Sequence, residues 1–147
     1  MRTAILLAIV CSLVVVGLSA CKIKHNYRPG GPYYFKGGIT YEGHFPYDEI
    51  SKAEADSLAS QGYAYYTAYF NDYKLPTLIQ KHYKGITTKT DLYYTGQNLI
   101  KVVETDSNGK VTNVEELFYK NGEVESSSST DRHGNKRWLM KDGKLVK

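Results

Sequence analysis

Apolar and polar positions divide the chain into three stretches of different character. From Ala4 to Gly17 the residues are almost wholly apolar, behind a single positive charge at Arg2. That run is near the lower limit for crossing a bilayer, which takes ~20 residues. A charged start, an apolar middle and the small residues Ser19 and Ala20 follow the order of a secretory leader. An uncleaved N-terminal membrane helix is the plainer alternative. Residues 22 to 38 hold no period, because Pro29, Gly30, Gly31, Pro32, Gly37 and Gly38 interrupt it. This segment reads as a tether. Its Tyr33-Tyr34-Phe35 cluster suits either docking on a domain or the membrane interface.

Beyond the tether the pattern predicts one helix and then strands. Ser51-Lys52-Ala53-Glu54 has the form of a capping box, with Ile50 and Ala55 at staple positions. Ala55, Leu58 and Ala59 make a narrow apolar stripe, and Gly62 is a natural stop. The helix runs over about 52 to 61 and is too short to stand alone in water. Strand-like runs follow at Tyr63 to Phe70, Leu75 to Tyr83, Ile86 to Tyr94, Leu99 to Thr105, Val111 to Tyr119, Val124 to Thr130 and Arg137 to Met140. Turn dipeptides separate them: Asn71-Asp72, Lys84-Gly85, Thr95-Gly96, Asn108-Gly109, Asn121-Gly122, His133-Gly134 and Asp142-Gly143. Glycines 85, 96, 109, 122 and 134 stand 11, 13, 13 and 12 residues apart. Such spacing marks an all-antiparallel meander. Val124 to Thr130 is polar enough to be an edge strand or a loop, and Pro76 fits the start of a strand or an edge. The expected fold class is α+β, mostly β: one short helix packed on an antiparallel meander and covering part of its apolar face.

Leu18-Ser19-Ala20-Cys21 resembles the lipobox of bacterial lipoproteins, residue by residue. The resemblance covers residues 1 to 21. It implies cleavage before Cys21, a thioether diacylglycerol on that sulfur and usually an acylated amino group. Two or more acyl chains anchor a protein stably without a transmembrane helix. The implied organisation is a signal peptide over 1–20, a lipidated tether over 21–38 and a single α+β domain over 39–147. Lys22 stands where Asp, in that family, tends to retain the protein at the inner membrane. The resemblance therefore points to the periplasmic face of a bacterial outer membrane, with the plasma membrane or cell surface as the alternative.

A second resemblance spans residues 90 to 147. Tyr93-Tyr94-Thr95-Gly96-Gln97-Asn98-Leu99, Phe118-Tyr119-Lys120-Asn121-Gly122-Glu123-Val124 and Leu139-Met140-Lys141-Asp142-Gly143-Lys144-Leu145 share an apolar pair, a glycine turn and a returning aliphatic. They resemble the hairpins of MORN-like repeat proteins, though the third copy lacks the aromatics.

Composition then narrows the chemistry. Of the two cysteines, Cys11 lies in the leader and Cys21 at the cleavage site, so the remainder has no thiol for a disulfide, a zinc site or a nucleophile. Without Arg2 the chain carries 18 Lys and Arg against 15 Asp and Glu, an interspersed balance unlike a nucleic-acid footprint. Of His25, His44, His82 and His133, none has metal-site spacing to a second ligand. Hydrolase elbows, phosphate loops and zinc-protease helices are absent from the sequence. Glu115 and Glu116 are adjacent on a strand and so point to opposite faces. No catalytic residue, metal or cofactor is expected, and no nucleic acid. The outlier is tyrosine, at 14 residues. Tyr63, Tyr65 and Tyr69 would share one face of an unbroken strand, with Tyr66 on the other. They are either β-formers filling a modest core and rim or a recognition face. The expected protein is a non-enzymatic, lipid-anchored envelope component that binds or scaffolds. The alternatives are a glycan- or peptidoglycan-binding module using those tyrosines, or an immunity or inhibitor lipoprotein acting on a toxin or wall hydrolase.

Overall fold

The structure, a computed structural model, describes residues 27–38 and 46–146. The lipobox residues Leu18, Ser19, Ala20 and Cys21 lie outside the described residues, as do His25 and His44. The described chain forms an antiparallel sheet of ten strands with one helix on it. In chain order these are β1 (Gly30–Gly37), β2 (Tyr47–Ile50), α1 (Lys52–Ser60), β3 (Tyr65–Phe70), β4 (Pro76–Tyr83) and β5 (Ile86–Thr95). Then come β6 (Asn98–Thr105), β7 (Val111–Lys120), β8 (Glu123–Asp131), β9 (Lys136–Lys141) and β10 (Lys144–Leu145). The spatial order is β10-β9-β8-β7-β6-β5-β4-β3-β1-β2. From β3 to β10 it is an unbroken meander, and the protein is α+β and mostly β, as its turn spacing predicts.

Turn chemistry sets this topology. Lys84-Gly85, Asn121-Gly122 and Asp142-Gly143 each have positive φ at both residues, between 49° and 84°. That is the type I′ geometry whose twist matches the flanking strands. Three longer loops share another wiring. Asn71, Asp106 and Asp131 each accept hydrogen bonds on one side-chain oxygen from the amides two and four residues on, at 2.8–3.0 Å. The side chain closes the turn that the backbone alone would leave open.

Helix α1 begins as its sequence predicts. The Glu54 amide donates to Ser51 Oγ at 3.2 Å, and the Ser51 amide donates to the Glu54 carboxylate at 3.0 Å. That backbone bond holds the Glu54 carboxyl below its ordinary value. Ala55 is fully buried beneath the helix. Ala59 borders Tyr65 and His82, and the Lys52 ammonium senses Tyr34 and Tyr65, so α1 rests on the side of the sheet those residues share.

The aromatic core lies on the other side. Strand register aligns Phe35 with Tyr66, Ala68 with Ile79 and Leu92 with Val102, all facing away from the helix. Phe35, Ala68, Phe70, Ile79 and Leu92 are buried there. Tyr27 covers them: its ring stacks on Phe70 at 4.3 Å and meets Phe35 edge-on at 5.7 Å. Burial, then the Glu49 carboxylate bonded to its hydroxyl, push the Tyr27 phenol up to about 12.

Three sequence expectations need correction. Gly30–Gly37 is strand β1 rather than tether, and Tyr27 already belongs to the core. The glycines serve close approach there. A Cβ on Gly31 would meet the Ala68 carbonyl at 2.7 Å, and one on Gly38, just past the strand, would run into the Tyr66 ring. The helix does not cover the aromatic core but the opposite face, beside Tyr34, Tyr65 and His82, while the Tyr27 ring lies on the apolar side. The polar run in β8 is neither edge nor loop: it pairs with β7 on one side and β9 on the other, with Ser127, Ser128 and Ser129 buried. Strand β2, at one edge, is not signalled by the sequence pattern, whereas β10 is the returning arm of the Asp142-Gly143 hairpin.

Phe35 is the largest fully buried side chain of the described core. Replacing it with alanine should lower unfolding free energy by about 3–5 kcal/mol. Urea unfolding followed by tyrosine fluorescence measures this; a loss below about 1 kcal/mol would show that the cluster does not hold the sheet together.

Candidate functional site

Two stretches of the helix side carry accessible aromatic and polar side chains. The first contains the tyrosines singled out from sequence. Tyr65 and Tyr69 pair with His82 and Leu78 and share the helix side, and Tyr66 faces the core, as the alternation predicts. Tyr63 is outside the strand: β3 starts at Tyr65, and the Tyr63 amide donates to the Leu58 carbonyl at 2.9 Å to close the helix end. Its ring is 59% exposed and borders an open depression of about 200 Å³ with Tyr65, His82 and Thr87.

Within that depression the rings are largely occupied. Tyr65 stacks on His82 at 4.7 Å with 16° between the planes. His82 is held by two hydroxyls, Thr67 Oγ1 at 2.9 Å from Nε2 and Thr87 Oγ1 at 3.1 Å from Nδ1. Burial lowers the His82 pKa below its ordinary 6.5. No carboxylate is bonded to either nitrogen among the described residues, so the ring lacks the orienting acid of a catalytic dyad. Tyr69 is half-buried against β4.

The second stretch emerges only from the register. Tyr93, Lys101, Glu116, Ser128 and Trp138 are direct cross-strand partners in succession, forming one row from β5 to β9 on the helix side. Phe118 stands two residues along β7 from Glu116, on the same face. Tyr93 is 49% exposed, Phe118 45% and Trp138 41%. Strands β7 and β9 are two strand spacings apart, about 9.5 Å. The Phe118 and Trp138 ring centroids are only 6.3 Å apart. Both rings therefore lean inward over β8, which explains why Ser128 beneath them is fully buried, with its hydroxyl unpartnered. Serine leaves the space; a larger residue would lift the rings.

Cations border this shelf. Lys136 Nζ lies 5.4 Å from the Trp138 ring centre and 3.2 Å from Glu116 Oε2. Lys101 Nζ lies 5.9 Å from the Tyr93 ring centre. Next to Tyr93 an open recess of about 480 Å³ extends to Tyr73 and Asn71. Glu115 and Glu116 oppose Val102 and Lys101 respectively, on opposite faces. Among the described residues no group of three His, Cys, Asp or Glu could hold a metal. Nor, among them, is any helix long and apolar enough to cross a membrane.

Sequence pattern does not single out Phe118 or Trp138. The signal that could have found them is the serine run Ser126 to Ser129, small side chains placed between two strands that carry large rings. No protein-family model, curated protein or solved structure matches the chain.

Two outcomes follow from these environments. Folding holds His82 neutral, so the unfolded chain takes up its proton first as pH falls below 6.5. Stability should be at its full value above 6.5, decline as pH drops from there, and level off once the folded ring also protonates. His82→Asn should flatten that part of the stability–pH curve measured by urea unfolding; an unchanged slope would mean that another group titrates. Ser128→Ala removes a buried hydroxyl that bonds nothing and should raise unfolding free energy by about 1 kcal/mol. A destabilised variant would reveal a partner for that hydroxyl.

Proposed function

We propose that the chain is a lipid-anchored protein of a bacterial envelope, without catalytic activity, that binds its ligand on the helix side of the sheet. Leu18-Ser19-Ala20-Cys21 after an apolar run is the observation that carries the anchor. Acyl chains on Cys21 supply stable membrane residence. An outer membrane, at its periplasmic face, is the address that Lys22 favours.

The position of Tyr27 adds to this reading. It is the sixth residue after Cys21, so the chain between them reaches at most about 20 Å. Tyr27 lies on the core side of the sheet. An anchor at Cys21 would therefore hold the sheet close to the bilayer. Binding rather than catalysis is favoured by the side chains on the helix side: aromatic rings, lysines and hydroxyls, without a nucleophile and base in hydrogen-bond reach.

Metabolic labelling with an alkyne fatty acid tests the anchor. The wild-type protein should be labelled and recovered with membranes; Cys21→Ser should be unlabelled, and either released or stalled as precursor. Wild-type protein recovered from the cytosol with an unmodified Cys21 and its leader intact would overturn the proposal.

A further inference from the structure

We propose that the row from Tyr93 to Trp138 is a binding platform for a carboxylate-bearing polysaccharide laid across strands β5 to β9. It rests on the reading of this protein as an envelope binding protein and names the ligand class of its helix side.

The shape of the platform comes first. Five residues in one cross-strand row, Tyr93, Lys101, Glu116, Ser128 and Trp138, span four strand spacings, about 19 Å. That length accommodates several sugar rings in an extended chain, and no wall encloses it among the described residues. Phe118 and Trp138 lean together over the serine strand, 6.3 Å apart with 49° between their planes, and both keep part of the ring surface exposed. The carbon–hydrogen face of a pyranose is apolar and flat, and it fits such a ring surface, while its hydroxyls project sideways to polar groups. Thr130, Lys136 and Glu116 stand beside the rings to meet them.

Charge selects among saccharides. Lys101 is beside Tyr93 and Lys136 beside Trp138, one cation at each end of the row. Glu116 is matched by Lys136, and Lys101 has no ion pair among the described residues. With Lys136 counted beside the row, two lysines stand against Glu116, which leaves Lys101 in position to pair with a ligand carboxylate, and charge-assisted hydrogen bonds are the stronger kind. A protein partner fits less well. Protein interfaces concentrate apolar residues at a centre depleted of charge, whereas here lysine, glutamate and serine separate the rings.

The chain holds a single tryptophan, Trp138, so its fluorescence reports directly from the platform. The full chain, produced in a bacterial host and purified in detergent micelles, is titrated with hexagalacturonate and, separately, with the neutral maltohexaose. Hexagalacturonate should shift Trp138 emission saturably, and maltohexaose should not at the same concentrations. Phe118→Ala should weaken hexagalacturonate binding about tenfold, the loss of one stacked ring. Lys101→Gln should weaken it by a similar factor and make it less sensitive to salt. Neither side chain is buried, and near-ultraviolet circular dichroism confirms that each variant keeps its packing. Calorimetric titration repeats the measurement where fluorescence is altered. An absent or equal response to the two saccharides would overturn the proposal, as would unchanged affinity in both variants. Micelle binding does not depend on acylation in the cell. Saccharide binding without acyl labelling would remove only the anchor, and labelling without saccharide binding would remove only the platform.

Discussion

Among the described residues a single layer of sheet buries its apolar side without a second layer against it, and the Tyr27 ring closes that side. It covers Phe70 and Phe35 from outside the sheet, where no helix lies among the described residues. Aromatic pairs of this kind contribute about 0.5–1.5 kcal/mol beyond the area they bury. The arrangement is lopsided. Full burial is concentrated between β1 and β5, with Val102 extending it to β6, while the apolar residues of β7 to β10 are at most half-buried. Stability is thus centred near the N-terminal end of the sheet, and the later hairpins are added to it. Each strand packs mainly on its immediate neighbours, so the distal hairpins resemble an array whose units support one another in sequence. Opening there first is the physical expectation, since few buried contacts oppose it.

That division explains which parts of the fold could be read from the residues. Hairpins follow from local chemistry: Asn121-Gly122 or Asp142-Gly143 needs only its own backbone to choose a type I′ turn. The capping box at Ser51 and Glu54 is local too. Strand β1 is not, because Gly31 within it admits the Ala68 carbonyl and Gly38 just past it admits the Tyr66 ring, contacts from a distant part of the sequence. Read locally, Pro and Gly mean a linker; read across the sheet, they mean close approach. The interior position of β8 is hidden for a related reason. A serine run looks solvated until Phe118 and Trp138 from both neighbours are seen to roof it.

Imperfect alternation has a structural cause as well. The ladder shifts register between Tyr93 and Tyr94, between Glu104 and Thr105, between Phe118 and Tyr119, and between Ser127 and Ser128. Each bulge re-aims side chains and bends its strand. Period-two reasoning therefore succeeds inside short stretches, as for Tyr65, Tyr66 and Tyr69, and cannot be carried from one end of β7 to the other. The platform was illegible on the same account: its five members come from five strands, and only the summed registers bring them into line.

An open platform also fits a protein tied to a surface. Without a pocket to exclude water, each ring contact is worth little, and binding by one molecule in free solution would be weak. On the proposed reading, acyl anchoring would change the concentration term: copies tethered to one bilayer would present their platforms to the same long polymer, and each further engagement would be effectively intramolecular. Weak individual contacts then add to firm retention while any one remains free to slide. A deep pocket would lose that mobility. The shallow row of rings and lysines and the short run of sequence from Cys21 to Tyr27 fit one proposed design, in which a membrane anchor would supply the avidity that the sheet alone does not.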